Sequence, residues 1–483
     1  MTDSEEDSPR LLDEDGRLFG LVNIVDVLVV LLVLAVVVAG VVLLFPSGSG
    51  KTDTRYVTLD LGDQPNYLAE AISPGDEWTP DRTSDSVTIT DVYRVNNGTG
   101  TNVLARAAVN GTQVEPEGPA EEPIFEFRGN PLRTGQTFNI VTSEYEVEGA
   151  VTRVETDGET LSVTNSEIVL ETNLTSATAS EIDVGDQFTA GGTTFAQVRS
   201  LELFPETEGS NAQYALVGVT ARTIERDGAQ HLGDTRVAVG QSLTFGGNGY
   251  SFGAEIIEHG TSNLTTESRQ LVVQKEVPTT VANDIAVGDQ FNVNSNPVVT
   301  VSSVTVYPTA SPDTRRVVLG VSAKVRTTGE EILFGDRQLR VGSQLPIQTD
   351  NYNIQTEIIR RGSSDEPGSP TTQAVTVQLK NIPPERANSL TAGMTEESRD
   401  RTTAEVQNVT TQPAEVILES ESGEIFLREH PQNKDVELTV DLSVRELEDG
   451  TVRFRGETLR VGQALSLELG PLTINSKVIG FEE

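Results

Sequence analysis

A single unit written four times in tandem constrains this chain more than any other feature. Its marker is a glycine at Gly75, Gly185, Gly288 and Gly393, with separations of 110, 103 and 105 residues. Each unit opens on an apolar, mostly alternating run, such as Tyr56-Val57-Thr58-Leu59-Asp60-Leu61 or Ala374-Val375-Thr376-Val377-Gln378-Leu379, which reads as a strand. Six residues before the glycine stand Ala69, Ala179, Ala282 and Ala387, and three before it Ile72, Ile182, Ile285 and Leu390. Two apolar residues three apart, behind Pro65, Pro278 or Pro383 in three copies, predict one helical turn. The glycine is expected to end that turn in a left-handed conformation.

Every copy also contains an echo of itself. Val184-Gly185-Asp186-Gln187-Phe188 returns as Val239-Gly240-Gln241-Ser242-Leu243, and Val287-Gly288-Asp289-Gln290-Phe291 as Val341-Gly342-Ser343-Gln344-Leu345. Gly135 and Gly462 mark the echo in the first and last copies. These eight glycines, Gly75, Gly135, Gly185, Gly240, Gly288, Gly342, Gly393 and Gly462, are expected to be structural turn residues, each feeding a strand. Glycine-paced hairpins without long helical periodicity predict a mainly β chain of small barrels or sandwiches. A unit of about 100 residues can bury its own core, so the expected arrangement is four self-sufficient modules at 55–165, 166–268, 269–372 and 373–483. The fourth is divergent: Met394-Thr395-Glu396-Glu397 replaces the acid and aromatic of the others.

Upstream, Val27 to Phe45 is an uncharged run of 19 residues, and Leu18 to Ile24 extends it. About 20 apolar residues cross a hydrocarbon core of ~30 Å. The acidic tail 1–17 lacks the basic start of a cleaved signal peptide. An uncleaved transmembrane anchor helix over 18–45 is therefore expected, followed by a linker over 46–54. Arg10 and Arg17 on one side balance Lys51 and Arg55 on the other, so flanking charge sets no orientation. A short tail before a single span favours a cell-membrane protein with its modules outside, and the lipid bilayer is the first expected partner.

Charge narrows the partners further. There are 73 Asp plus Glu against 35 Lys plus Arg, a net −38, and only six of the basic residues are Lys. Such a chain repels itself in dilute salt, whereas molar salt shortens the screening length to about 3 Å. The composition resembles that of halophilic, haloarchaeal proteins. It offers no general basic face for nucleic acid. With no Cys and three His, thiol catalysis, disulfides and Cys- or His-rich metal centres are excluded.

The segment Asp15-Gly16-Arg17-Leu18-Phe19-Gly20-Leu21-Val22-Asn23-Ile24-Val25-Asp26, running into the apolar stretch, resembles the opening of the uncharacterised family known as domain of unknown function 4330. The strand, helical turn, Gly-Asp and later Arg-Val-Gly-Gln pattern is similar to that family's soluble part. The resemblance implies a membrane-anchored β domain and brings with it no activity, cofactor or catalytic residue.

No constellation in the sequence demands chemistry. Asp76, Asp186 and Asp289 recur at one position, but no clustered calcium loop accompanies them, and Asp after Gly is a turn residue that bonds its own backbone. His231, His259 and His430 have no counterparts between copies and read as surface residues. Gly50-Lys51-Thr52 imitates a phosphate loop without its first glycine. Trp78, Tyr145, Phe188, Tyr250, Phe291 and Tyr352 recur at corresponding hairpins and read as core, with sugar stacking as the alternative. Arg315-Arg316, Arg360-Arg361 and the pair Arg399 and Arg401 read as local charge balance. The expectation is a non-enzymatic protein without cofactor or metal that projects β modules as a structural, spacer or interaction element. Its possible partners are an envelope protein or polysaccharide. The alternatives are an envelope carbohydrate- or polymer-binding protein and, more weakly, an envelope-remodelling hydrolase with its site in the fourth copy.

Overall fold

The computed structural model describes residues 17–18, 22–23 and 51–482, except 97, 99, 115–122, 206–211, 248, 400 and 420–424. The expected tail, apart from Arg17, and most of the expected span and linker lie outside these residues. At Arg17, the last residue of the expected tail, and at Leu18, Val22 and Asn23 within the expected helix, the chain forms instead a two-residue antiparallel ladder of β1 (Arg17–Leu18) and β2 (Val22–Asn23). Among the described residues no helix is long and apolar enough to cross a membrane.

The first module shows the architecture of all four. Its elements are β3 (Lys51–Gln64), a helical turn Asn66–Ala71, β4 (Glu77–Trp78), β5 (Ser86–Asn96), β6 (Thr101–Val114), β7 (Ile124–Phe127), β8 (Asn130–Pro131), β9 (Thr137–Val141) and β10 (Glu146–Glu155). They form one antiparallel sheet in the order β4-β5-β6-β3-β10-β9, with β7 and β8 as a hairpin off β6. The other three sheets repeat this order. Each sheet rolls into a barrel-like form. In the second module the rings of Phe188 and Phe245, on opposite edge strands, stand 5.4 Å apart.

Burial explains the roll. Outer strands alternate, as in Tyr250–His259 beside the edge strand Ser242–Gly247, where every second residue from Tyr250 to Ile256 is buried. This is the period of a strand with one face on a core. Central strands such as β6 are buried almost continuously along their first half, because the rolled sheet covers one face and linker backbone crosses the other. There Gly218 and Gly320 are required: an added Cβ would overlap the carbonyl oxygens of Ser262 and Ser364.

Three expectations need correction. The modules begin at Lys51, Val163, Thr266 and Ser369, three or four residues before the expected boundaries, because the first strand pairs earlier than its apolar run starts. The expected linker accordingly loses its last residues to β3: Lys51 to Thr54 pair with Gln113 to Asn110. Gly50-Lys51-Thr52 is thereby answered, since Lys51 and Thr52 are strand residues.

Finally, the glycines do not cap the helical turns. Those turns, at Asn66–Ala71, Ser176–Glu181, Thr279–Asp284 and Pro384–Asn388, end at Ile72, Ile182, Ile285 and Ser389. Each glycine is the third residue of a separate β-turn closed by an i to i+3 bond, as from Asp186 N–H to Asp183 O. All eight have φ between +83° and +105°, the conformation such a turn demands at that position. Their N–H groups donate to equivalent strand carbonyls, Ile89, Val151, Val198, Ile256, Val301, Ile358, Val406 and Val478.

The modules pack against one another. One continuous apolar cluster runs through the second and third modules and takes in Tyr93, Val95 and Leu104 of the first. The fourth module and the remainder of the first keep separate cores.

Candidate functional site at the clamps and joints

The recurrent acid after the glycine does two things with one oxygen. Asp186 Oδ2 accepts the Asp183 N–H at 3.0 Å and the Tyr250 hydroxyl at 2.6 Å. Asp76 does the same with Ser73 (2.8 Å) and Tyr145 (2.5 Å), and Asp289 with Ala286 (2.8 Å) and Tyr352 (2.7 Å). The first bond is the expected turn closure. The second clamps the first hairpin of a module to its echo across the barrel seam. Burial, and then the bond to aspartate, push all three phenols above their ordinary value of 10. In the echo turns Gln136 and Gln463 close the loop by accepting the Arg133 and Arg460 N–H groups at 3.0 Å, which accounts for Asp or Gln after glycine.

The fourth module replaces clamp and core together. Met394 takes the acid's place and Leu472 the tyrosine's, and both pack against the same core. The aromatic position of Phe188 and Phe291 becomes Glu396, which is fully buried. Its carboxylate accepts from Arg455, from the Thr403 hydroxyl at 2.5 Å and from the Glu468 N–H at 2.7 Å. Arg455 stands where the second and third modules have Gly233 and Gly335, and its guanidinium lies 4.5 Å from the Phe454 ring centre.

Each joint seats two hairpin tips of one module on the module before it. The first tip is a two-residue turn with positive φ, at Gly191, Asn294 and Arg399 in the second, third and fourth modules. Asn294 Nδ2 donates to Ala179 O at 2.9 Å, at the preceding helical turn. Arg399 donates to Ala282 O (2.5 Å) and Ile285 O (2.8 Å), one module on. At the first joint the tip is Gly191, whose hydrogen faces the Arg94 side chain. A Cβ there would stand 2.6 Å from Arg94 Cδ. Arg94, buried within the first module, supplies the missing bonds itself, donating to Ala69 O at 2.7 Å and to Ile72 O. The same carbonyls are thus satisfied by three different residues.

The second tip packs on the preceding strands. Asp234 accepts from Asn102 at 2.9 Å. Phe334 meets Phe204 with ring centres 5.5 Å apart. Arg455 O accepts from Arg316 at 2.9 Å. Ion pairs finish the third joint: Arg315 with Glu468 at 3.1 Å and Arg316 with Glu457 at 2.8 Å. All hydrogen bonds and ion pairs described between modules join consecutive modules.

The recurrent aromatics are therefore core and clamp. Phe188, Phe291, Tyr145, Tyr250 and Tyr352 are buried, and Trp78 is half-buried. Arg315, Arg316 and Arg399 join modules, which sequence reading took for local charge balance. His259 is exposed, while His231 and His430 are half-buried and bonded to nearby backbone. Among the described residues no group of three or more His, Cys, Asp or Glu could hold a metal ion. Arg94, Asn294 and Arg455 escaped the sequence. The available signal was the departure at Glu396 and the two-residue turns.

Residues 10–97 of the chain match the family described as domain of unknown function 4330, which spans the N-terminal segment and the first half of the first module. No curated protein and no solved structure matches the chain.

Proposed function

We propose that this protein is a single-pass, membrane-anchored stalk. Residues 18–45 hold it in the bilayer, and four consecutively docked β modules extend from the outer face as a spacer or adhesive element without catalysis. The observation that carries this reading is the joint. At all three joints hairpin tips of one module pack on the module before it, and at the second and third they also bond its helical-turn carbonyls, so reach and direction pass along the series. Duplicating a rigidly joined unit adds length and multivalent display. Support for the anchor comes from the uncharged run Val27–Phe45. The sugar-binding alternative is weakened, because five of the six recurrent rings are buried and Trp78 alone among them is half-buried beside an open cavity. The hydrolase alternative loses its nearest candidate, because Glu396 is consumed by Arg455, Thr403 and a backbone N–H.

The test is protease shaving of intact cells, read with an antibody to the C-terminus. Loss of the C-terminal epitope with a protected membrane-bound stub supports the reading. An epitope cleaved only after lysis contradicts the outer-face placement.

A further inference from the structure

Among the described residues, nothing covers on the first module the face that three modules bury against a predecessor. At the joint between the first two modules, Gly246 lies against Gly98, and a Cβ there would stand 2.7 Å from Gly98 Cα. The equivalent residue of the first module is Val141, 45% exposed. On the same module, Val114 and Ile124 are paired across β6 and β7 and are 39% and 45% exposed. The loop after β4, carrying exposed Arg82, is tied to the β7–β8 tip by Asp85, whose carboxylate accepts the Arg128 N–H at 2.6 Å. Beside this tip an open cavity of about 470 Å³ is lined by Trp78, Phe127, Arg128 and Phe138. Lys51, the first residue of β3, is exposed and pairs with Gln113, next to Val114.

What covers this face is argued from the chain that leads to it. Only residues 46–50 separate Phe45, the last residue of the apolar run, from Lys51. Five residues reach about 20 Å at full extension. In the anchored stalk the face is thereby confined to the headgroup layer. Its chemistry matches that layer. A tryptophan, flanking aliphatics and the cations Lys51, Arg82 and Arg128 form the combination that settles at a membrane–water interface, with rings at headgroup level and cations on phosphate. Exposed Glu77 and Asp81 border the same face. We infer that the open face of the first module seats on the phosphate-bearing surface of the bilayer, so that the membrane acts as the missing predecessor and sets the stalk's angle. This rests on the anchored reading above.

Trp78 is the only tryptophan in the chain, so its fluorescence reports this face alone. Full-length protein is reconstituted in phospholipid nanodiscs with a tryptophan-free scaffold in molar KCl, with and without lipids brominated near the headgroup. Co-purification with the discs reports anchoring, and Trp78 emission reports seating. The expected result is co-purification with loss of roughly half the Trp78 emission in brominated discs, as befits an interfacial ring. In the Arg82→Glu, Arg128→Glu double variant, which keeps the anchor, the loss is abolished. Disc-bound protein with unquenched Trp78 open to aqueous iodide overturns the seating and leaves the anchor standing. Unquenched Trp78 shielded from iodide overturns it in favour of a second copy on this face. Protein that fails to enter discs overturns both.

Discussion

The second joint and the third do the same mechanical task with different chemistry: the second adds a shared apolar core to its ion pair of Lys324 with Glu202 at 2.8 Å, and the third has polar contacts without a shared core. Between the second and third modules, Phe334 inserts beside Phe204, both at most 1% exposed, and the two modules share one apolar core. Between the third and fourth, cores are separate and the contact is polar, made by the ion pairs of Arg315 and Arg316 with Glu468 and Glu457 and by the Arg399 bonds to Ala282 O and Ile285 O. An apolar joint strengthens by burying area and is insensitive to salt screening. An ionic one, with partners about 20% exposed at Arg315 and Glu468, contributes little net free energy but fixes orientation. The same contrast runs inside the modules, where a Tyr–Asp clamp and a core Phe in the second and third give way to Met394, Leu472 and the Glu396–Arg455 pair in the fourth.

Four predictions sharpen or break this contrast. The largest concern buried groups. Phe334→Ala should cost about 3–5 kcal/mol and split the shared transition of the second and third modules in calorimetry of the full chain. A single undivided transition would show that the shared core does not couple them. Glu396→Ala should cost the fourth module a similar amount, about 3–5 kcal/mol, by stranding Arg455. Replacing the pair by the residues of its sister modules, Glu396→Phe with Arg455→Gly, should be neutral or stabilising by about 1–4 kcal/mol. If the double variant were as unstable as the single one, the pair would not be an exchangeable substitute for the core ring.

The clamp is worth less. Tyr250→Phe should cost about 1 kcal/mol, and the clamps also carry a pH signature. Because the folded phenols titrate above the unfolded value, the clamp's stabilisation is complete below pH ~10 and is lost as pH rises past it. Alkaline unfolding should therefore begin in the first three modules and spare the fourth, whose Leu472 has no proton to lose. Domain-resolved hydrogen exchange across that range reads the order directly, and first loss in the fourth module would contradict it. The smallest effect is at the ionic joint. Arg315→Ala should change stability by about 0–1 kcal/mol, while loosening the angle between the third and fourth modules in small-angle scattering.

Much of the fold was legible because its marker is a backbone requirement. Positive φ at turn position three leaves glycine as the natural choice, so eight glycines survive while neighbours change. The buried Ala69, Ala179, Ala282 and Ala387 were legible for the same reason, since a close packing site admits little else. The clamp was half legible: the acids and the tyrosines each recur, but they sit more than 60 residues apart and nothing local pairs them. The joint was hidden because Arg94 reaches the helical-turn carbonyls from a strand of its own module, whereas Asn294 and Arg399 reach the equivalent ones from the hairpin tip of the next module. Only donor chemistry is shared there, and donor chemistry leaves no fixed letter. The fourth module announced a departure at Glu396 without naming Arg455, which lies far along the chain.

The central claim is that consecutive modules are docked in one fixed register. The chain has no cysteine, so an engineered pair is read without background. A Cβ built on Gly233 stands 3.6 Å from the Asn102 Cβ across the first joint, within the range a disulfide spans. Non-glycine residues already occupy the equivalent turn position at Arg128 and Arg455. In the Asn102→Cys, Gly233→Cys protein, mild oxidation should close an intramolecular disulfide nearly to completion, seen as a faster band on a non-reducing gel and loss of maleimide labelling. Two thiols that stay reduced and fully reactive would mean that the modules swing freely, and the docked series would be wrong.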